Sequence, residues 1–127
     1  MINHVSIGVS NVAQAAAFYD PVLATLGIGR AMTVENVAIG YGNLHPEFWI
    51  GLPFNGRPAS AGNGVHICFQ APSRAAVDAF HAAALAAGGT DEGRPGIRED
   101  YAPDYYAAFA RDPDGNKIEA VCFSDNT

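Results

Sequence analysis

Two stretches of the chain repeat the same order of apolar and polar positions. Each opens with a short, mainly apolar run that predicts a β-strand, over residues 4–9 and 65–70. A residue suited to a helix N-cap follows, Asn11 in the first copy and Ser73 in the second, and apolar residues then recur at helical spacing. Glycines end both helical patterns. The repeat therefore predicts a strand and a helix, stated twice.

Strand-like runs separated by turn residues follow each predicted helix. They cover residues 31–41 and 47–52 in the first copy, and 105–110 and 117–123 in the second. An Asp-Pro-Asp-Gly turn at 112–115 joins the last two runs. The stretch 88–104, rich in glycine, proline and charge, predicts a loop.

The repeat predicts an α+β fold of two βαβββ modules in tandem, whose curved mixed sheets surround a concave cleft. We expect one domain over residues 1–127, with module 1 at about 1–52 and module 2 at about 64–123. A joint rich in glycine and proline, at 53–63, connects them. A concave sheet face is a favoured place for a small-molecule pocket.

Composition and charge narrow the classes of function. A chain of 127 residues that is 49% apolar and 16% charged is typical of one globular domain. Thirteen acidic against seven basic residues give a net charge of −6, which excludes nucleic acid and anionic membranes as expected partners. No apolar run approaches the roughly 20 residues of a spanning helix, and no signal-peptide pattern is present. We expect a cytoplasmic protein in which Cys68 and Cys122 are small buried side chains.

Two histidines and one glutamate are the strongest candidates for chemistry. His4 and His66 occupy equal positions in the two copies, and Glu119 lies in an apolar strand where an uncompensated carboxylate is costly to bury. Two imidazoles and a carboxylate with open coordination positions are a typical site for a divalent metal. The alternative is that His4 lies at a solvated strand edge and Glu119 points outward. Spacing alone leaves both interpretations open.

Other residues are candidates for contacts with a substrate. Trp49 or its strand neighbour faces the cleft as a pocket wall, because adjacent strand residues point to opposite faces. By the same rule, at least one of Tyr105 and Tyr106 serves ordinary strand packing. Arg98 can bind an anionic substrate, the alternative being a solvated side chain. His81, on the second helix, is expected at the surface.

Four segments of the chain resemble the vicinal oxygen chelate superfamily, which includes glyoxalase I, extradiol dioxygenases, fosfomycin-resistance enzymes and bleomycin-resistance proteins. They read Ile-Asn-His-Val at 2–5, Phe-Tyr at 18–19, Gly-Val-His-Ile at 64–67, and Arg-Asp-Pro-Asp-Gly-Asn-Lys-Ile-Glu-Ala-Val at 111–121. The resemblance implies paired βαβββ modules, usually in homodimers, with a divalent metal at the module junction. It puts His4, His66 and Glu119 on metal-ligand positions, and leaves the metal open among Zn, Ni, Co, Mn and Fe.

The function implied by this resemblance is that of a metal-dependent lyase or isomerase similar to lactoylglutathione lyase (glyoxalase I). The metal would chelate adjacent oxygens of a small substrate. Members of that type place a basic glutamate on the last strand of the first module, where Glu47 stands at the strand's entrance. Glu47 and Glu119 are then the expected catalytic residues, and Trp49, Tyr105 and Arg98 the substrate contacts.

Two other functions stay open under the same resemblance. One is a metal-free drug- or ligand-binding protein of the bleomycin-resistance type, for which the net charge of −6 suits a cationic ligand. The other is a small extradiol-type dioxygenase, since two histidines and a glutamate suit Fe(II). Dioxygenases of that type usually carry four modules, and this chain has two.

Overall fold

The fold consists of two four-stranded mixed sheets, each associated with one helix. The structure, a computed structural model, describes residues 1–124. The first module comprises β1 (Val5–Gly8), α1 (Val12–Ala24), β2 (Arg30–Val34), β3 (Ala38–Tyr41) and β4 (Phe48–Gly51). The second comprises β5 (His66–Gln70), α2 (Arg74–Ala86), β6 (Thr90–Ile97), β7 (Tyr106–Arg111) and β8 (Lys117–Cys122).

Both sheets have the same topology. The strand orders are β1-β4-β3-β2 and β5-β8-β7-β6. In each sheet the first strand pairs parallel with the last strand of its module, and the other pairs are antiparallel. The predicted α+β fold of two tandem βαβββ modules is confirmed. The two helices begin at the predicted caps, where the side chains of Asn11 and Ser73 accept hydrogen bonds from the backbone N–H groups of Gln14 and Ala76.

The structure divides one predicted strand run in two and contains one strand where a loop was predicted. The run at 31–41 is two strands joined by a turn in which Asn36 has a φ of 61°, a left-handed conformation that asparagine tolerates. The stretch at 88–104, predicted as a loop, contains β6. This strand lies at the edge of its sheet and its pairing with β7 shifts register twice, so it accommodates Gly93, Pro95 and Gly96.

One hydrophobic core spans both modules. Phe48 of β4 packs edge-on against Phe69 of β5, with ring centroids 5.0 Å apart, and Phe69 contacts Phe80 of α2 at 6.4 Å. His81 also lies inside, where its Nε2 is 2.8 Å from Asp91 Oδ1, so the expectation of a surface position was wrong. Neither helix in the described part of the chain is long and apolar enough to cross a membrane.

The turn between β7 and β8 ties the second module to the first. The Tyr19 hydroxyl of α1 donates to buried Asp112 Oδ2 at 2.6 Å. Asn116 Nδ2 donates both to Asp112 Oδ2 and to the Gly8 carbonyl, each at 3.0 Å, and Ser10 N–H donates to Asp114 at 3.1 Å. Burial, and then the charge of Asp112, raise the pKa of Tyr19, so its hydroxyl remains a donor. These bonds fix how the two sheets are placed relative to each other.

Candidate functional site

The strongest cluster of polar side chains lies on the face of the second sheet that points away from the main core, which we call the site face. Residues on adjacent strands that are in register share a face, and Glu119 of β8 pairs with Cys68 of β5 and with Phe109 of β7. His66 pairs with Lys117 two positions earlier. Alternation along β8 sends Ile118 to the main core and Glu119 to the site face.

Glu119 is 1% exposed, and both of its carboxylate oxygens have partners. Oε1 is 3.0 Å from His66 Nε2, and Oε2 accepts a 2.5 Å hydrogen bond from the Tyr105 hydroxyl. Partial burial and the hydrogen bond to Glu119 raise the pKa of Tyr105, so the phenol keeps its proton and donates at all ordinary pH values. The imidazole and the phenol together compensate the buried carboxylate.

Cys68 lies beside this pair and is exposed, whereas Cys122 is buried. The expectation that both cysteines are buried was therefore wrong for Cys68, which follows His66 at a strand spacing of two and shares its face. Desolvation, and then the negative charge of Glu119, raise the pKa of Cys68 to about 12. The thiol stays protonated at neutral pH and is a poor nucleophile.

His4 is on the first module and is exposed. Its Nδ1 is 2.8 Å from Asn3 Oδ1. A carbonyl oxygen only accepts, so Nδ1 is the donor in this hydrogen bond, and Nε2 is the ring nitrogen that the bond leaves available. A hydrogen bond of this kind is the usual orientation device for a histidine that binds metal through its other nitrogen.

His4 and Trp49 line a cavity of about 670 Å³ between the first sheet and the joint. Its other walls include Ser6, Gly8 and Phe54, and no described residue of the second module lines it. The indole packs close to Gly40, where an added Cβ would lie 2.8 Å from Trp49 Cε2. Trp49 is thus a wall of this cavity, and its contact with a substrate stays a prediction.

The structure brings together two of the three predicted metal ligands. His66 and Glu119 are in contact, and His4 lies on the other module. Within residues 1–124, no group of three or more His, Cys, Asp or Glu side chains is placed to hold a metal ion. Glu47, the expected base, is exposed and lines a different cavity of about 500 Å³ that also contacts Cys68.

The pair of His66 and Glu119 fits two adjacent ligands of one metal ion. Nitrogen and oxygen ligands each about 2.1 Å from a metal lie about 3.0 Å apart in an octahedral site and about 3.4 Å apart in a tetrahedral one. The observed separation of Nε2 and Oε1 is 3.0 Å. A neutral imidazole and a carboxylate are a donor set for Zn, Ni, Co, Mn or Fe. One chain supplies two ligands of such a site.

Two cationic side chains lie around Phe109 on the site face: Arg98, an expected substrate contact, and Lys117, which the sequence analysis did not single out. Arg98 Cζ is 5.4 Å from the ring centroid of Phe109, Lys117 Nζ is 5.3 Å from it, and the His66 ring is 6.1 Å from it. The signal for Lys117 was its spacing of two from Glu119, which puts both on one face. The position of Phe109 beside Glu119 could not be predicted from the sequence, because it depends on the register of β7 against β8.

Comparison with known proteins agrees with this fold and with the paired modules. The model of the Glyoxalase/Bleomycin resistance protein/Dioxygenase superfamily matches residues 1–120. The chain belongs to this superfamily. The match of the family model confirms the resemblance that the four segments carry. The name of the superfamily covers both enzymes and resistance proteins. No functionally curated protein matches the chain.

Solved structures of this superfamily are similar over almost the whole chain. A glyoxalase/bleomycin resistance protein from Albidiferax ferrireducens is 44% identical, with a TM-score of 0.84, and the match covers 95% of this chain and 97% of that one. A lactoylglutathione lyase from Agrobacterium tumefaciens is 21% identical, with a TM-score of 0.65 and coverages of 95% and 92%. At that identity the second likeness concerns the fold alone.

Proposed function

We propose that the protein is a metal-dependent lyase or isomerase that acts on a small substrate with two adjacent oxygens. The observation that carries the proposal is the contact between His66 and Glu119, a nitrogen and a carboxylate oxygen 3.0 Å apart on a sheet face, with the carboxylate 1% exposed. Superfamily membership and the fold shared with a lactoylglutathione lyase support this reaction class.

We further propose that the working form is a homodimer in which His4 of a second copy completes the site. His4 lines a cavity bounded by its own module and the joint, and neither His66 nor Glu119 of the same chain lines that cavity. A two-fold dimer can bring the first module of one copy to the second module of the other, and then forms two equal sites. The expected cytoplasmic location stays a prediction.

In this arrangement each side chain has a defined task. His66 and Glu119 would hold the divalent metal, together with His4 of the second copy. The metal, when bound, would act as a Lewis acid on oxygens of the substrate. Tyr105 donates to Glu119 Oε2 and so holds the carboxylate with Oε1 toward His66. Trp49 would close the cavity as an apolar wall, which excludes water from the reacting group.

Glu47 is the residue expected to act as the catalytic base. It directly precedes β4 and lies outside the cavity that contains His4 and Trp49. A Glu47→Gln variant therefore tests whether this carboxylate moves a proton. Loss of turnover at unchanged metal content would assign it as the base, and unchanged turnover would remove it from the mechanism.

The proposed function is tested by metal content and turnover measured on the same samples. Protein purified without a metal-chelating tag should contain a divalent metal that is lost in Glu119→Gln, a variant that keeps the size of the side chain. Turnover should follow metal content when it is measured as isomerisation of a hemithioacetal, formed from a thiol and an α-keto aldehyde, to the hydroxy-thioester. Wild-type protein that takes up no divalent metal after dialysis against each ion would contradict the proposal.

One observation favours a second candidate, a metal-free ligand-binding protein of the bleomycin-resistance type. His66 and Tyr105 already compensate Glu119, so the buried carboxylate does not require a cation. Tight capture of a small organic ligand by metal-free protein, without turnover, would favour this candidate. Ring cleavage of a catechol with Fe(II) would instead favour the dioxygenase.

A further inference from the structure

We propose that Arg98 and Lys117 form an anion-binding subsite next to the pair of His66 and Glu119, so that the substrate carries a carboxylate or a phosphate group. This inference rests on the proposed function for the reaction, but the binding site itself does not require the metal. It names the chemical class of ligand that the site face recognises, a small organic anion with an apolar part.

The guanidinium of Arg98 is held in place by the backbone of β6, the strand that this residue directly follows. Nη1 donates to the Gly96 carbonyl at 2.8 Å and Nη2 to the Arg94 carbonyl at 2.7 Å. A guanidinium has five N–H donors, and two of them are used here. Three donors remain on a group whose orientation is already fixed, which lowers the entropy cost of binding an oxyanion.

The sequence of β6 makes room for this arrangement. A Cβ added at Gly93 would lie 2.9 Å from Arg98 Nη2 and 3.0 Å from Phe109 Cδ1. The register of β6 against β7 shifts between Gly93 and Gly96, where regular ladder pairing is interrupted and the Arg94 and Gly96 carbonyls accept from the guanidinium instead. The irregular edge strand β6, which the sequence pattern predicted as a loop, therefore positions Arg98.

Lys117 provides a second positive charge on the same face. Its ammonium and the Arg98 guanidinium both lie within 5.4 Å of the Phe109 ring centre. Among residues 1–124, no carboxylate forms an ion pair with either of them, although Arg111 close by pairs with Glu92 at 3.3 Å. Arg98 and Lys117 thus place two positive charges around the Phe109 ring in a chain whose net charge is −6.

Three carboxylates lie near the subsite. Glu119 shares the face, and its two oxygens are engaged by His66 and Tyr105. Glu99 and Asp100 follow Arg98, are exposed and line one cavity with it, but neither forms an ion pair with the guanidinium.

An apolar surface adjoins the subsite beyond Tyr105. Tyr101 and Phe123 make edge contacts with the Tyr105 ring at 5.0 and 5.2 Å and are 65% and 53% exposed. An anion with an aromatic or aliphatic part can use both regions, its charge at Arg98 and Lys117 and its apolar part at these rings.

The test is equilibrium binding of two matched probes to protein stripped of metal with EDTA. Phenylacetate and 2-phenylethanol share a ring and a chain length, and differ in the negative charge. By titration calorimetry or NMR, phenylacetate should bind at least about fivefold more tightly than the alcohol, because charge-assisted hydrogen bonds are the stronger ones. Arg98→Gln should lower the affinity for phenylacetate by about fivefold or more and leave the affinity for the alcohol unchanged. Lys117→Gln should change the affinity for phenylacetate in the same direction.

Arg57→Gln is the matched control, since Arg57 is exposed in the joint and lines neither large cavity. Its affinity for phenylacetate should equal that of the wild type. Equal affinity of the wild type for both probes, no binding of phenylacetate, or an unchanged affinity in Arg98→Gln that is folded by circular dichroism would each overturn the proposal. Because the protein is metal-free in this assay, a failure to bind metal leaves the result unaffected, and the two proposals can fail separately.

Discussion

Replacing Tyr19 by Phe should cost more stability than the same change at Tyr41, although each hydroxyl donates to one aspartate. Tyr19 donates to Asp112, which is 4% exposed, and Tyr41 donates to Asp20 at 2.7 Å, whose side chain is 42% exposed. A hydrogen bond to a charged group contributes about 1.5–3 kcal/mol when it is shielded from water. At Asp20, water replaces the lost donor, and two hydrogen bonds from Arg30 persist.

The magnitude at Tyr19 follows from what remains around Asp112. Its carboxylate keeps the side chain of Asn116 and the backbone N–H groups of Asp114 and Asn116 as donors. The charge is not orphaned, so we expect the lower half of the range, about 1.5–2 kcal/mol, against about 0.5 kcal/mol for Tyr41→Phe.

Urea unfolding followed by circular dichroism measures this difference. Protein concentration is held constant, because a dimer makes the midpoint depend on it. The midpoint should fall in Tyr19→Phe with an unchanged slope, and the difference between the two variants should be about 1 kcal/mol or more. A loss in Tyr19→Phe no larger than in Tyr41→Phe would refute the argument that the Asp112 turn holds the two modules together.

Three further predictions concern the cavity, the acid range and the metal. Gly40→Ala should destabilise the fold by about 1–3 kcal/mol, because the new Cβ would lie 2.6 Å from Pro46 Cβ and 2.8 Å from the indole of Trp49. The same contact should shift the fluorescence of Trp49, the single tryptophan, and an unchanged emission spectrum would contradict this prediction. The hydrogen bond from Arg30 lowers the pKa of Asp20 in the folded state, so ionised Asp20 stabilises the fold above its ordinary pKa of 3.8, and this contribution is lost as the pH falls below that value. The difference in free energy of unfolding between the wild type and Asp20→Asn, measured by urea titration, should therefore disappear at acid pH. His66→Ala should lose the bound metal, since it removes the nitrogen that lies 3.0 Å from Glu119 Oε1; a metal content equal to that of the wild type would mean that the ion binds elsewhere.

The repeat in the sequence predicted the topology because the signals that define each element come from residues close together in the chain. Caps at Asn11 and Ser73 and alternating apolar strands depend on neighbouring residues only. The turn at Asn36 and the strand β6 were not predicted, because the residues around Asn36 favour a strand and those of β6 favour a loop. Asn36 is a residue that turns favour, but it lies in a run of apolar and β-branched residues that predicts a strand. Gly93 and Pro95 predict a loop, and β6 tolerates them only because it is an edge strand with an irregular register.

The candidate site was predictable as far as it depends on alternation along one strand. Glu119 in an apolar strand had to find compensation, and the structure supplies it from His66 and Tyr105. Which module His4 would face depends on how two sheets pack, and local pattern does not encode this. The partners of Arg98 likewise depend on the backbone of β6, whose carbonyls become acceptors through irregular pairing.

The central claim is that His66 and Glu119 of one copy share a metal with His4 of another, and complementation between two inactive variants tests it most directly. His4→Ala and Glu119→Ala should each lose bound metal when purified alone. Refolded together from urea at equal concentrations, half of the dimers should be mixed, each with one intact site, so the metal content per chain should recover to about a quarter of the wild-type value. Recovery to that level is the result that the account predicts. No recovery in folded mixed dimers, or full metal content in either variant alone, would contradict it.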